Sequence, residues 1–281
     1  MTTTANSFPP WQKILPTTPQ LPKAIFEGTT ELNNIDLWYG LYGKDLQEAL
    51  KANERPILFL HGGRISSRWW GNSVSFLANR GYAVIATDTR AHGRSTDDFE
   101  VPLSYDLFAA DVIALLDHLK VPRVSVIGWS DGAITSLIIA MNSPSRLDRV
   151  LAFGANSNSG QINANVEILP YLVDLKEREE KEWEELAPSP RMYTYFSERM
   201  TLMQSKYPLW TSEDFAKVPI LYQDKDAPVV WIGDGDHEEL LIPNVARDIS
   251  NMVSLHLFHI TSHGINIAVD QWLFTCDISW G

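Results

Sequence analysis

The five residues Gly128-Trp129-Ser130-Asp131-Gly132 form the part of the sequence best suited to catalysis. They follow the β-rich run VSVI, and the helix-prone apolar stretch AITSLIIA begins directly after them. A serine at such a strand-to-helix turn is held in strained backbone, and glycines on either side give it steric room. The helix N-terminus also directs backbone N–H groups toward developing negative charge. The pattern predicts that Ser130 is a nucleophile.

A second motif, HGGR at residues 61–64, follows the buried run ILFL. A strand that ends in two glycines can turn sharply and aim a backbone N–H into the same site. We predict that the N–H groups of Gly63 and Asp131 form an oxyanion hole. His61 is interpreted as a structural hydrogen bonder beneath this loop rather than as a base. The motif lacks the Lys-Ser/Thr pair of a P-loop, so it does not indicate a phosphate cradle.

Short apolar runs that close on turn residues indicate the elements that position these motifs. Continuous runs of this length fit strands buried on both faces. Helical stretches lie between them, most clearly Tyr105–Lys120, which carries one apolar stripe. This alternation predicts an α/β fold with a doubly wound, mostly parallel sheet. The predicted strands are Ile35–Leu41, Ile57–Leu60, Tyr82–Ala86, Val124–Ile127, Val150–Phe153, Val229–Ile232 and Val253–Phe258.

One segment, residues 156–215, interrupts the alternation with helical patterns and no strand-like run. We interpret it as a helical lid inserted into a single domain of residues 1–281, over the edge of the sheet where open α/β sheets bind ligands. The charge run KEREEKEWEE at 176–185 is typical of a solvated helix face, with pairs such as Glu177–Lys181. The aromatic and Met side chains of RMYTYFSERMTLMQ either pack or line an apolar pocket.

Composition narrows the class of protein further. The 281 residues include 23 Lys and Arg against 35 Asp and Glu, a formal charge of −12. Such a balance does not favour nucleic acid or an anionic membrane as a partner, and it leaves the oligomeric state open. The single cysteine, Cys276, cannot form an intrachain disulfide. The N-terminus does not resemble a signal peptide, so a cytoplasmic location is expected.

Together with these motifs, the order of the predicted elements resembles that of the α/β-hydrolase superfamily over about residues 30–275. A further block, Asp88-Thr89-Arg90-Ala91-His92-Gly93-Arg94-Ser95, carries the resemblance, although the family often has glycine where Ala91 stands. GWSDG followed by a small residue is similar to the branch of valacyclovir-hydrolase-like enzymes. The resemblance implies a sheet of about eight strands, and it implies that Asp88 and Arg90 tie the loop beside the site.

The family order of nucleophile, acid and base implies the remaining triad members. His263 lies just beyond the last β run, between Ser262 and Gly264, and is the predicted base. The acid is Glu238 or Asp236: similar sequences favour the first, and the distance to the base favours the second. The carboxylates around His237 also suit a divalent metal, but the sequence offers no second convergent histidine, so we predict no metal and no other cofactor.

The resemblance implies a serine hydrolase that cleaves a small carboxylic ester, lactone or thioester through an acyl-enzyme, so a small-molecule substrate is the expected partner. Non-hydrolytic members of the fold, namely lyases, cofactor-free haloperoxidases and ligand receptors, are the alternative. The side chain of Asp131 either caps the helix or, as in the similar branch, recognises a substrate amino group. Core packing is the alternative for the tryptophans among the candidate substrate-binding residues, which are Arg64, Trp69, Trp70 and Trp129.

Overall fold

An eight-stranded sheet forms the centre of the protein, in the order β1-β2-β4-β3-β5-β6-β7-β8. The first three strands in this order pair antiparallel, and all the others pair parallel. The computed structural model describes residues 15–164, 170–189, 192–219, 224–235, 238 and 240–252, and the backbone of 256–260. The strands are β1 Phe26–Leu32, β2 Ile35–Gly43, β3 Ile57–Leu60, β4 Ala83–Thr87, β5 Val124–Trp129, β6 Leu147–Phe153, β7 Val229–Gly235 and β8 His256–Ile260.

The apolar runs of the sequence predict seven of these strands, and the parallel α/β class is confirmed. Strand β3 shows why a continuous apolar run predicts a buried strand. Leu58 and Leu60 lie in one hydrophobic cluster, whereas Ile57 and Phe59 lie in another. All four are at most 2% exposed, so both faces of the strand are covered. The last predicted run, Val253–Phe258, overlaps β8 from His256 to Phe258, and its first three residues lie outside the described residues.

Strand β1 is absent from the sequence prediction because its residues, FEGTTEL, are mostly polar. It lies at the edge of the sheet, where only one neighbour pairs with it, and most of its residues are exposed or half-buried. A two-residue turn joins it to β2. Both turn residues, Asn33 and Asn34, have positive φ, at 48° and 63°, which is the geometry of a tight hairpin.

The helices lie between the strands in the order that a doubly wound sheet requires. The long helix predicted at Tyr105–Lys120 is confirmed, and the Ser104 hydroxyl caps it by accepting from the Leu107 N–H. No helix in the described ranges is long and apolar enough to span a membrane. The helices are α1 Leu46–Lys51, α2 Gly71–Ala78, α3 Tyr105–His118, α4 Asp131–Asn142, α5 Pro170–Leu186, α6 Tyr193–Lys206, α7 Ser212–Phe215 and α8 Val245–Met252.

Helices α5 and α6 lie over the loops that follow the carboxyl ends of the parallel strands. Trp183 of α5 stacks on Phe196 of α6 with ring centroids 4.3 Å apart. Phe196 in turn meets His92, in the loop after β4, edge to face at 4.9 Å. The apolar side chains of α6 that are buried, Phe196, Met200 and Met203, therefore pack rather than line an open pocket.

The charge run on α5 is solvated on one side only. Lys176, Glu177, Glu180 and Lys181 are exposed, as the sequence predicts, but Glu179 is buried. The predicted solvated face is therefore confirmed for these four residues, whereas Glu179 lies on the buried face of the helix, together with Trp183. The ion pair that the helix forms between positions i and i+4 joins Arg178 to Asp174.

The start of α4 lies against β3 so closely that only glycine fits at position 132. A Cβ there would overlap the backbone carbonyl oxygen of Leu60, and one at Gly128 would overlap the carbonyl oxygen of Gly132. The two glycines flanking Ser130 therefore allow strand, turn and helix to meet at short distance.

We expect Gly132→Ala to lower the free energy of unfolding by about 1–3 kcal/mol, because the helix start must move away from β3. Urea denaturation of the parent and the variant measures this difference. The control is Gly160→Ala, where an added Cβ meets only the Asn158 side chain, at 3.1 Å. Equal stability losses in the two variants would contradict the steric account.

Candidate active site

Ser130 lies at the sharp turn between β5 and α4 with φ 53° and ψ −117°. Positive φ is strained for a residue with a side chain and persists only where the surroundings enforce it. Here the Ser130 N–H donates to the Phe153 carbonyl, and the Ser130 carbonyl accepts from Ile134. The residue is partly exposed, whereas its helical neighbours from Asp131 to Met141 are buried. Ser130, the predicted nucleophile, therefore lies in a turn whose strained backbone is held by hydrogen bonds, and the residue is partly exposed.

The loop after β3 approaches the same point. An ideal Cβ on Gly62 would lie 3.4 Å from the Ser130 Cβ, so this loop lies beside the serine. Within the part of the chain that the structure describes, the backbone N–H groups of Gly63 and Asp131 have no hydrogen-bond acceptor. The next residue, Arg64, has φ 64°, a second strained position at the site.

His61 supports this loop from below. Its Nε2 accepts from the Thr89 N–H at 2.9 Å, so the proton is on Nδ1, which donates to the Gly62 carbonyl at 2.7 Å. Burial lowers the pKa of His61, in keeping with this neutral form. Both ring nitrogens are engaged, which is the structural role that the sequence predicts.

The block that begins at Asp88 also forms a scaffold. Burial acts to raise the pKa of Asp88, but Arg94 and a hydrogen bond from Ser67 outweigh it and hold the pKa below its usual range. The carboxylate joins the loop after β4 to the short helix Ser67–Trp70. Arg90 makes a buried ion pair with Asp111 of α3, at 2.7 Å, instead of contacting Asp88. Both residues thus hold the loop, through different partners.

The carboxylate of Asp131 is buried between three segments. Oδ1 accepts from the Tyr105 hydroxyl at 2.8 Å, and Oδ2 accepts from the Gln204 amide at 2.9 Å. Burial raises the pKa of this carboxyl, which these two donors oppose. The side chain makes no hydrogen bond to the N–H groups of α4, although the carboxylate does lie in the first turn of the helix, where the helix dipole favours it.

Arg64 extends from the loop to α6. Its guanidinium donates to Gln204 Oε1 at 2.6 Å and to Thr201 Oγ1 at 2.9 Å. Burial raises the pKa of the Glu179 carboxyl to about 7, and the positive charge of Arg64 opposes this rise. Arg64 therefore joins the loop to the overlying helices, and its role toward substrate stays a prediction. Sequence reasoning missed Gln204 and Glu179, because neither belongs to a motif.

The three tryptophans differ in their surroundings. Trp70 is 2% exposed and packs in the core with Phe59, the alternative that the sequence left open for it. Trp69 and Trp129 are partly exposed, with ring centroids 6.2 Å apart. The Trp69 indole N–H donates to Glu182 of α5 at 3.1 Å. Trp69 and Trp129 thus lie between the serine turn and α5.

Glu238 lies close to the ends of β6 and β7. Its Oε1 accepts from the N–H groups of Leu240 and Leu241, and Oε2 would lie 3.9 Å from a Cβ on Gly154. The ring of Trp129, next to Ser130, occupies the same neighbourhood, 3.7 Å from that position. Burial, with the charge of Asp234, raises the pKa of Glu238 to about 7. One carboxylate oxygen is therefore fixed by the turn, and the other lies beside Gly154, as does the Trp129 ring.

Several predicted site residues lie outside the described residues, namely Asp236, His237 and His263. Their roles stay predictions. Among the residues that are described, no cluster of three or more His, Cys, Asp or Glu side chains is arranged to hold a metal ion.

A parallel-stranded α/β sheet with a strained serine turn at the carboxyl end of its central strand defines the class of fold. Comparison with known families agrees: residues 57–268 match the model of the alpha/beta hydrolase family. The chain belongs to this family.

Individual relatives match shorter stretches. The chain is 28% identical over 144 residues to 3-oxoadipate enol-lactonase 2 of Acinetobacter baylyi, covering 51% of each chain. It is 38% identical over 104 residues to a non-heme haloperoxidase of Rhodococcus erythropolis, covering 36% of this chain and 37% of the relative. It thus spans about half the length of the first relative and over a third of the second. The structure of a meta-cleavage product hydrolase from Pseudomonas fluorescens superposes on this one with a TM-score of 0.64, covering 91% of this chain and 94% of that chain. The two sequences are 16% identical, so this similarity shows a shared fold.

Proposed function

We propose that the protein is a serine hydrolase that cleaves a small carboxylic ester, lactone or thioester through an acyl-enzyme. The observation that carries the proposal is the backbone of Ser130, held at φ 53° at the turn between β5 and α4. Strain of this kind concentrates at functional sites, and this turn presents the hydroxyl at the N-terminus of a helix. The similarity to an enol-lactonase supports a substrate with an ester-type carbonyl.

In the proposed reaction, Ser130 Oγ attacks the substrate carbonyl carbon while His263 takes the hydroxyl proton. The tetrahedral intermediate then collapses: the bond to the leaving oxygen or sulfur breaks, and His263 returns the proton to that atom. Water, deprotonated by the same imidazole, attacks the acyl-enzyme and releases the acid together with free Ser130. The triad acid orients the imidazole and stabilises its positive charge.

The two donors of the oxyanion hole are the N–H groups of Gly63 and Asp131. Their lack of an acceptor among the described residues supports this role, since backbone N–H groups are rarely left unpaired without a ligand or water. Their positions, on the loop beside Ser130 and at the first residue of α4, agree with it. Removing one such donor in other enzymes costs about 10²–10³ in rate.

Helices α5 and α6 act as a lid in this proposal. They contact the loops after β3 and β4 and the start of α4 through Trp69, Arg64, His92 and Asp131. A substrate at Ser130 would lie beneath them, with Trp69 and Trp129 beside it. The two partly exposed indoles favour a substrate with an apolar portion.

Purified protein incubated with short p-nitrophenyl esters, lactones and thioesters tests the proposal. We expect hydrolysis of at least one class, with a burst of product equal to the enzyme concentration if deacylation is slow. Ser130→Ala is the control for hydrolysis elsewhere on the surface. A panel with no turnover and no burst would overturn the proposal.

A cofactor-free haloperoxidase activity is the second candidate, because the Rhodococcus haloperoxidase shares 38% identity over its matched segment. Bromination of a phenolic dye, supplied with hydrogen peroxide, bromide and acetate, measures it. We expect slower dye bromination than ester hydrolysis at equal enzyme concentration. The reverse order would favour the second candidate.

The contacts of Asp131 bear on substrate preference. In the branch that the sequence resembles, an aspartate at this position helps to bind a substrate amino group, but here both carboxylate oxygens already accept hydrogen bonds within the protein. We therefore expect Asp131→Ala to lower kcat/KM equally for α-amino esters and for matched esters without the amine. A direct charge contact is worth about 2–5 kcal/mol, so its loss would change the ratio of the two values about 30-fold or more. Such a change would show that Asp131 binds the amine.

A further inference from the structure

We propose that Gln204, on α6, is a positioning residue that sets the spacing of the two oxyanion-hole donors. The inference rests on the proposed serine-hydrolase function. A single amide group makes both contacts that matter: its Nε2 donates to Asp131 Oδ2 at 2.9 Å, and its Oε1 accepts from the Arg64 guanidinium at 2.6 Å. Gln204 thus connects the two segments that carry the donors, the loop after β3 and the start of α4.

The bridge passes directly over one of these donors. An ideal Cβ on Gly63 would overlap Asp131 Oδ2 and would lie 2.7 Å from Gln204 Nε2. The amide and the carboxylate therefore cover the Cα of Gly63, and glycine is the residue that leaves room for them. Because Asp131 supplies the other donor, the hydrogen bond from Gln204 to its carboxylate fixes the two N–H groups relative to each other.

Further contacts make the bridge rigid. The Tyr105 hydroxyl holds the other oxygen of Asp131 at 2.8 Å, and Thr201, one turn before Gln204, holds Arg64 at 2.9 Å. Arg64 needs such support because its φ is 64°, a conformation that persists only where neighbouring groups enforce it. Loss of the amide would leave the loop free to relax toward ordinary backbone angles.

The rate of reaction should depend on this bridge more than substrate binding does. Oxyanion donors bind the negative oxygen that forms in the transition state, not the neutral carbonyl of the bound substrate. A loop displaced by a fraction of an ångström keeps the pocket but weakens those hydrogen bonds. If Gln204 instead acted by binding substrate, its loss would raise KM rather than lower kcat.

The first test compares Gln204→Met with Ser205→Ala, an exposed position on the same turn of α6. Methionine keeps the length and helix propensity of glutamine but removes both hydrogen bonds. For a short ester we expect the methionine variant to lose about 10- to 100-fold in kcat with KM unchanged, and the alanine variant to match the parent. An unchanged kcat, or a rise confined to KM, would overturn the proposal.

A second variant keeps the test decisive if Gln204→Met folds poorly. In Gln204→Glu the new carboxyl faces Asp131, and it donates to Asp131 only when it is protonated. We expect the ratio of its kcat to that of the parent to rise as the pH falls from about 8 to about 5, whereas a constant ratio would contradict the proposal. Two charged groups, Arg64 and Asp131, contact Gln204 directly. The titratable groups that interact electrostatically with one or both of them are His92, Tyr105, Glu179 and Tyr193. The parent has all of these groups, so their own titration cancels in the ratio.

The parent protein separates this inference from the proposed function. If the parent hydrolyses the ester and Ser130→Ala does not, the function stands, and the Gln204 variants test the positioning role alone. If the parent has no Ser130-dependent turnover, the proposed function fails first, and the positioning role fails with it.

Discussion

Ser130→Ala is expected to reduce ester hydrolysis about 10⁴- to 10⁶-fold, to the rate left by binding and the oxyanion hole. The loss is large because no other described hydroxyl lies on the turn between β5 and α4, so no group replaces the nucleophile. Steady-state kinetics on the best ester of the substrate panel measures it. The fold should be retained, since alanine also fits a partly exposed position, and an unchanged melting temperature is the control.

His263→Ala provides the partner measurement. Triad members act as a unit, so the double variant should lose about as much as either single variant. A double variant that lost the product of the two single factors would show that Ser130 and His263 act in separate steps. A Ser130→Ala variant that kept most of the parental rate would place the nucleophile elsewhere.

Glu238→Gln is expected to lower kcat by up to about 10⁴-fold, and Asp236→Asn to have little effect. Glutamine keeps an oxygen for the N–H groups of Leu240 and Leu241, so the turn after β7 is preserved. It replaces the charged carboxylate with a neutral amide, whose nitrogen would take the place of Oε2 beside Gly154. An amide at the triad acid favours the wrong imidazole tautomer, which is the source of the large loss.

The same pair of substitutions can contradict the assignment. A large loss in Asp236→Asn with a small one in Glu238→Gln would make Asp236 the acid. Small losses in both would point to Asp234, whose carboxyl interacts with that of Glu238. Melting temperatures of both variants distinguish a loss of catalysis from a loss of structure.

The sequence predicts the elements that bury apolar side chains on both faces or that need a special backbone. Strand β3 can be recognised in the sequence because all four of its residues are apolar. The serine turn can be recognised because positions 128 and 132 accept only glycine. Strand β1 cannot be recognised in the sequence, because an edge strand with one covered face tolerates polar residues such as Thr29 and Glu31.

The candidate site is predictable only where a motif carries it. Gln204 lies 73 residues from Asp131 and 140 from Arg64, so the bridge between them exists only once the fold brings α6 over the sheet. The burial of Glu179 is equally hard to predict. Glu179 lies in a run of charged residues, and nothing in that run distinguishes it from the carboxyls that stay exposed. Local patterns record periodicity and turns, whereas these contacts depend on tertiary packing.

Labelling with a fluorophosphonate, which reacts with an activated serine and forms a stable adduct, tests most directly whether Ser130 is the nucleophile. The parent protein is incubated with the reagent and digested, and the modified peptide is identified by mass spectrometry. If Ser130 is the nucleophile, we expect one adduct, on Ser130, with loss of ester hydrolysis in proportion to labelling and no adduct in Ser130→Ala. An adduct on another serine, or full labelling that leaves hydrolysis intact, would contradict this assignment.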